Sequence, residues 1–162
     1  MNRLLVGLLG IAGCGFWLLT GASARPAPQQ RSPSIQYIEG NAYQKQRGYA
    51  PAVVSQGGKI VWLAGHNVIP DANGKIVGDF PAQAREAFAL MDRTLKASGG
   101  SLQNLVTMTI FLKDSRYGEE FLKVRHEMFP DGKFPSSTLI TISDFAQPGI
   151  LLEMQGVAVI AN

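Results

Sequence analysis

The chain has 162 residues and a formal net charge of +3, and 46% of its residues are hydrophobic. This length suits one ordinary domain with a substantial core. The near-balanced charge, without a run of like charges, argues against a nucleic-acid partner. A single cysteine excludes a disulfide framework and a cysteine-rich metal site.

The first 24 residues are typical of a secretory signal peptide. Arg3 precedes an apolar run from Leu4 to Leu19, and the small residues Ala22 and Ala24 close the segment. We therefore expect cleavage after Ala24 and a periplasmic or secreted protein. Residues 25–34 follow as a proline-rich tether.

Two alternatives to a cleaved signal peptide stay open. The stretch "IAGC" resembles the lipobox of bacterial lipoproteins, in which case Cys14 would carry a lipid anchor. The apolar run is also close to the roughly 20 residues that span a bilayer, so it could remain uncleaved. A membrane is an expected partner only in these two cases.

Residues 35–162 form the predicted domain, and strands come first. The stretch "IQYIEG" predicts a short strand. The two apolar runs of "AVVSQGGKIVWLAG" flank Gln56-Gly57-Gly58, and this pattern predicts a β-hairpin.

The spacing of the apolar residues then changes to that of a helix. Asp79 is suited to cap the start of this helix, and Gly99 and Gly100 follow its end. One face of the helix is apolar and is predicted to be buried: Ala84, Ala87, Phe88, Met91 and Leu95. The next stretch, "LVTMTIFLK", alternates apolar and polar residues and predicts a strand.

A second helix is predicted in "SRYGEEFLKVRHEMF", and the strands "STLITIS" and "ILLEMQGVAVI" end the chain. The order β-β-β-α-β-α-β-β favours an α+β fold in which both helices pack on one face of a single sheet. The predicted buried residues of the second helix are Tyr117, Phe121, Val124 and Met128.

Glu153 is a carboxylate in the middle of the last predicted strand. A carboxylate there is costly to bury unless it is paired or meets water. It could lie on a solvent-exposed face or pair with a lysine of the next strand. Its face also carries Leu151 and Val157, however, and this favours a role in a site.

The two histidines lack the neighbours of a metal site or a serine-hydrolase triad. His126, beside Arg125 on the second helix, is interpreted as part of a solvated face. His66 ends a predicted strand, where Gly65 would let a ligand approach the backbone. Tyr49 is most simply a packed aromatic residue, although its hydroxyl needs a partner if buried.

Several stretches together resemble the RidA (YjgF) family of reactive-intermediate deaminases, from about Gly48 to Ile160. The resemblance implies a chorismate-mutase-like α+β fold and a homotrimer with three clefts between subunits. It also implies hydrolysis of 2-imino acids to 2-keto acids and ammonia, without a cofactor or metal. The stretches, in the family's order and spacing, are "GYAPAV", "KIVWLAGHNVIP", "GDFPAQAREAFALMDRTLKASGGSLQNLVTMTIFLKD", "FPSSTLITI" and "LLEMQGVAVI".

The resemblance assigns residues to the cleft. Tyr49 matches a tyrosine of the family's cleft, and Glu153 matches a glutamate in the last strand. The resemblance implies catalytic roles for both residues. Gly65 and His66 match a stretch whose backbone groups contact the ligand.

The stretch "FPSSTLITI" has hydroxyl groups at the start of a strand, which could be turn chemistry or the lining of a cleft. The family's arginine, which binds the substrate carboxylate, falls at Ser137, and a helix asparagine falls at Lys123. Ser136 and Ser137 are thus predicted to line the cleft of an arginine-lacking branch, with Lys123 as a further ligand contact.

Three functions remain open at this point. The first is a cofactor-free hydrolase of small imines or enamines that uses Glu153 to position water. The second is a secreted trimer that binds a small ligand or a partner protein without turnover. The third and weakest is the ribonuclease activity reported for relatives, against which the near-neutral charge argues.

Overall fold

The computed structural model describes residues 32–162. The predicted signal peptide, Cys14 and most of the tether lie outside these residues. Within them, no helix has the length and apolar character needed to cross a bilayer. The strands and helices are β1 Ser34–Tyr37, α1 Ala42–Gln46, β2 Val53–Gln56, β3 Lys59–His66, α2 Phe80–Ala97, β4 Leu105–Leu112, α3 Gly118–Met128, β5 Ser136–Thr141 and β6 Leu152–Ile160.

The main sheet has four strands in the order β3-β6-β4-β5. The central strand β6 pairs antiparallel with both β3 and β4, whereas β5 runs parallel to β4. A parallel pair needs a crossover connection, and α3 supplies it. This crossover brings the start of β5 beside the middle of β4, where Met108 is the partner of Ser137.

Both long helices pack on one face of this sheet, as the sequence predicts. All five apolar residues expected on the buried side of α2 have no exposed surface. The rings of Phe88 in α2 and Phe121 in α3 have centroids 6.0 Å apart. Each fully buried side chain of this size contributes about 1.5–3 kcal/mol. The α+β fold class is therefore confirmed.

The ends of α2 also follow their sequence signals. The backbone N–H of Ala82 donates to the Asp79 carboxylate at 3.0 Å, which satisfies a free donor of the first turn. After the last turn, Gly99 has a φ of +89°, a left-handed conformation that glycine adopts without strain.

The predicted hairpin and the single sheet are both wrong. β2 pairs with β1 in a separate two-stranded sheet, and β3 pairs with β6. The turn at Gly57 and Gly58 thus joins strands of different sheets, because pairing with β6 is what places Leu63 in the core. Ala50 makes only an isolated bridge to Ser136, and Pro51 next to it has no N–H to extend that ladder.

No helix of residues 32–162 packs on the other face of the main sheet. Residues that alternate with the buried ones point to this uncovered face, and Trp62 is 78% exposed on it. Ile60 and Ile140 add further exposed apolar surface. An exposed apolar area of this kind on a sheet is typical of a surface that binds another protein chain.

Candidate functional site

The residues assigned to the site fall into two groups. The first group lines a cavity of about 220 Å³ between α1, α3 and β5, which we call the arginine cavity. The second group surrounds the Glu153 carboxylate at the junction of β3 and β6, and we call it the carboxylate group. The arginine cavity is lined by Tyr43, Arg47, Tyr49, Leu122, Arg125, Ser137 and Leu139.

Arg125 is the buried charged side chain in the lining of the arginine cavity, and it is only 2% exposed. Its Nη1 atom donates to the Gly48 carbonyl at 3.1 Å and to Ser137 Oγ at 3.1 Å. The guanidinium also lies 4.6 Å from the centroid of the Phe121 ring, a distance suited to a cation–π contact. His126, interpreted from the sequence as part of a solvated face, is exposed, whereas its neighbour Arg125, for which no role was predicted, is buried.

The sequence contains a signal that would have found Arg125. It follows Phe121 by four residues, so it lies on the same side of α3 as the predicted buried stripe. A charged residue is rarely buried without a partner. For Arg125, this rule and the helical spacing point to opposite locations.

Ser136 and Ser137 point to opposite sides of β5, because side chains alternate along a strand. The Ser136 hydroxyl donates to the Val106 carbonyl at 3.2 Å, which is plain strand chemistry. Ser137 faces the helices and receives the bond from Arg125. At the start of this strand, the Ser136 hydroxyl therefore serves the backbone, and the Ser137 hydroxyl lines the cavity.

Tyr49 stands between two cavities. It lines the arginine cavity and also a larger, mostly apolar one of about 370 Å³ that reaches Tyr37 and Phe134. Its neighbour Gly48 has a φ of +65° and is buried. Glycine permits the tight turn that brings Tyr49 beside Arg125.

The carboxylate group lies on the other face of the main sheet. Leu152 and Met154 are buried against the helices, so Glu153 between them points to the uncovered face, and it is half-buried. Asn67 Nδ2 donates to Glu153 Oε2 at 2.8 Å. A Cβ atom at Gly65 would lie 2.1 Å from Glu153 Oε1, so only glycine leaves room for this carboxylate.

His66 and Lys123 stand beside these groups. Both ring nitrogens of His66 are engaged, Nδ1 with the Ala64 carbonyl at 2.8 Å and Nε2 with Thr94 Oγ1 at 3.0 Å. Lys123 is exposed and lines an adjacent cavity of about 440 Å³ with Glu119.

The charges around the two groups have opposite signs. Arg47 also lines the arginine cavity, and its Nη1 donates to Glu119 Oε1 at 2.6 Å. Burial, together with the Arg47 charge, lowers the pKa of Arg125 to about 9, so the side chain stays protonated at pH 7. Between residues 32 and 162, no cluster of three His, Cys, Asp or Glu side chains could hold a metal ion.

Comparisons with known proteins agree on one family. Residues 39–160 match the family model described as Endoribonuclease L-PSP. A RutC family protein of Pyrococcus horikoshii is 28% identical over 111 residues, which are 68% of this chain and 85% of that protein. Protein mmf1, mitochondrial, of Schizosaccharomyces pombe is 28% identical over 113 residues, 68% of this chain and 67% of its own length.

Solved structures of the same family have the same fold. A protein of the conserved Rid family from Yersinia pestis has a TM-score of 0.68 at 19% identity, covering 80% of this chain and 100% of that one. A member of the YjgF protein family from Neisseria meningitidis has a TM-score of 0.56 at 22% identity, covering 80% and 97%.

Proposed function

Because this chain belongs to the RidA (YjgF) family, we propose that it hydrolyses small imine-type compounds in a cleft between the subunits of a homotrimer. One observation carries this proposal. Two of the residues that the resemblance assigns to the cleft, Tyr49 and Ser137, line a cavity that also contains the buried cation Arg125, and a third, Glu153, forms a separate carboxylate group. A cation suits a substrate carboxylate, and a carboxylate suits the activation of water.

The two groups lie on opposite faces of the sheet of one chain, so a single chain does not bring them together. A neighbouring copy that packs on the uncovered face would place its own cavity against this chain's Glu153. The exposed Trp62 and Ile60 supply the apolar surface for such packing. A cyclic trimer built in this way would have three equivalent clefts.

The reaction needs only water and proton transfer. Water attacks the C=N carbon of the imine, and Glu153 accepts a proton from that water. Glu153 returns that proton to the nitrogen, which gives a tetrahedral carbinolamine. The hydroxyl proton of this intermediate then passes to the nitrogen as the C–N bond breaks, so that ammonia leaves and the C=O bond of the 2-keto acid forms. Proton transfer by one placed carboxylate accounts for about 10²–10⁴-fold of the rate.

Release of ammonia from freshly generated 2-iminopropanoate and 2-iminobutanoate tests the proposal. Because imines also hydrolyse in water alone, the rate with protein is compared with the rate without it. An increase proportional to protein concentration is the expected result. A rate that stays at the background level at high protein concentration would contradict hydrolysis and favour a trimer that binds its ligand without turnover.

Replacing Gly65 by alanine is expected to lower this activity by about tenfold or more, because the new methyl group displaces the Glu153 carboxylate. The free energy of unfolding should change by less than about 1 kcal/mol, since the contact is with the end of a flexible side chain. Turnover and thermal unfolding measure the two effects. Gly118→Ala is the control, because no atom of the described residues outside its own helix backbone and chain neighbours lies within 4 Å of its Cβ position.

A second candidate is a trimer that binds a small ligand or partner protein without turning it over. It is favoured by Ser137 and Lys123, which stand where the family resemblance expects an arginine and an asparagine. Export, proposed from residues 1–24, also fits a role apart from cytosolic amino-acid breakdown. The near-neutral charge makes an endoribonuclease role the weakest candidate.

A further inference from the structure

Arg125 has an incomplete set of hydrogen bonds. Its Nη1 atom donates to the Gly48 carbonyl and Ser137 Oγ, and more distantly to the Arg47 carbonyl at 3.3 Å. Its Nε and Nη2 atoms are buried and have no partner among residues 32–162. A guanidinium offers five N–H donors, so one whole edge of the group is unused.

The charge of Arg125 is also uncompensated. Within the described part of the chain, no carboxylate forms an ion pair with it, and the neighbouring charge is the like charge of Arg47. A buried cation without an anion is strongly unfavourable. Such an arrangement is typical of a site whose counter-ion arrives with a ligand.

The position of Arg125 fits such a ligand. It lines the arginine cavity together with Tyr49, and Ser137 fixes its Nη1 atom. Ser137 is the residue at which the family resemblance expects an arginine on β5. We propose that Arg125 is the group that binds the substrate carboxylate, so that α3 supplies from residue 125 the positive charge that β5 lacks at residue 137. This inference rests on the proposed function, because it names the recognition element of the same cleft.

The expected ligand is a small monocarboxylate. With Nη1 held by the protein, the buried edge formed by Nε and Nη2 has no partner in residues 32–162, and a carboxylate that reaches it would accept two parallel hydrogen bonds. A cavity of about 220 Å³ is smaller than those that hold drug-sized molecules. Ser137 is then a positioning residue, since its hydroxyl acts on the ligand only through Arg125.

Binding of 2-oxobutanoate, measured by calorimetry on the full chain, tests this role without requiring turnover. Wild-type protein should bind 2-oxobutanoate but not butanone, which has the same carbon skeleton without the carboxylate. Arg125→Met should weaken binding by roughly 30-fold or more, the loss expected for charge-assisted hydrogen bonds. Ser137→Ala should weaken it by about threefold to tenfold. Arg116→Met, at an exposed arginine, should leave it unchanged.

Thermal unfolding separates a ligand-binding arginine from a structural one. Without ligand, Arg125→Met should unfold at the wild-type temperature or above it, because an unpaired buried charge is removed. 2-Oxobutanoate should stabilise wild-type protein and not the variant. A lower melting temperature with unchanged affinity for 2-oxobutanoate would overturn the proposal. If Arg125→Met does not fold, Arg125→Lys serves instead, since lysine keeps the charge but not the two-bond geometry, and wild-type affinity there would equally overturn it.

The outcomes also separate this inference from the proposed function. If 2-oxobutanoate binds in an Arg125-dependent way but no ammonia is released, the result would support Arg125 as the carboxylate-binding residue and contradict the proposed hydrolysis. If Arg125→Met still hydrolyses imines with an unchanged KM, the result would support the proposed hydrolysis and contradict a role of Arg125 in carboxylate recognition.

Discussion

Glu153→Gln is expected to lower kcat for imine hydrolysis by about 10²-fold or more, because an amide cannot accept a proton from the attacking water. The fold should persist. The glutamine side-chain oxygen can still accept the bond that Asn67 Nδ2 now donates to Glu153 Oε2, and the shape of the side chain is kept. Ammonia release under saturating substrate measures kcat, and circular dichroism checks the fold.

The control for this substitution is Glu120→Gln, which makes the same chemical change at an exposed position of α3. It should retain wild-type kcat. Affinity for 2-oxobutanoate should stay within about threefold in Glu153→Gln, because carboxylate recognition is assigned to the other group. A Glu153→Gln protein with wild-type kcat would remove Glu153 from the mechanism.

Trp62→Glu is expected to convert the proposed trimer into monomers. Trp62 is 78% exposed and stands on the uncovered face of the main sheet, opposite Val157 of β6. A buried tryptophan at the centre of an interface commonly accounts for about 2 kcal/mol or more, and the glutamate adds an unpaired charge. Light scattering across a concentration series measures the change in mass.

The same variant should lose imine hydrolysis, because the arginine cavity and the carboxylate group would no longer meet. Val77→Glu is the matched control, since Val77 is exposed and apolar but lies outside the sheet. It should remain trimeric and active. Wild-type protein that is monomeric at every concentration, or an active monomer, would contradict the shared cleft.

Mixed oligomers give a sharper test of the shared cleft. Glu153→Gln and Arg125→Met should each be nearly inactive alone. Co-refolded in equal amounts, they should recover activity in about one quarter of the clefts, because a cleft between two copies can receive one intact group from each. No recovery in demonstrated mixed trimers would mean that both groups act within one chain.

Features that depend on neighbouring residues could be predicted from the sequence. The buried stripe of α2 from Ala84 to Leu95 follows from helical spacing, and Asp79 follows from the need to satisfy free N–H groups. The alternation along β4 is equally local. The site residues Tyr49, Gly65 and Glu153 were proposed from a family resemblance, and family membership is confirmed by the match over residues 39–160.

Features that depend on distant residues were decided by the tertiary structure. The turn at Gly57 and Gly58 has hairpin chemistry, but strand pairing is a competition among all strands, and β6 is the partner that buries Leu63. The burial of Arg125 also depends on distant residues. Its spacing puts it on the buried side of α3, but only the assembled fold supplies the Gly48 carbonyl and Ser137 Oγ that hold a buried guanidinium. The sequence by itself determined the strands, the two long helices and the family that they form, although it did not predict the short helix α1. The tertiary structure decided which strands pair and where the positive charge lies, because both depend on contacts between residues far apart in the chain.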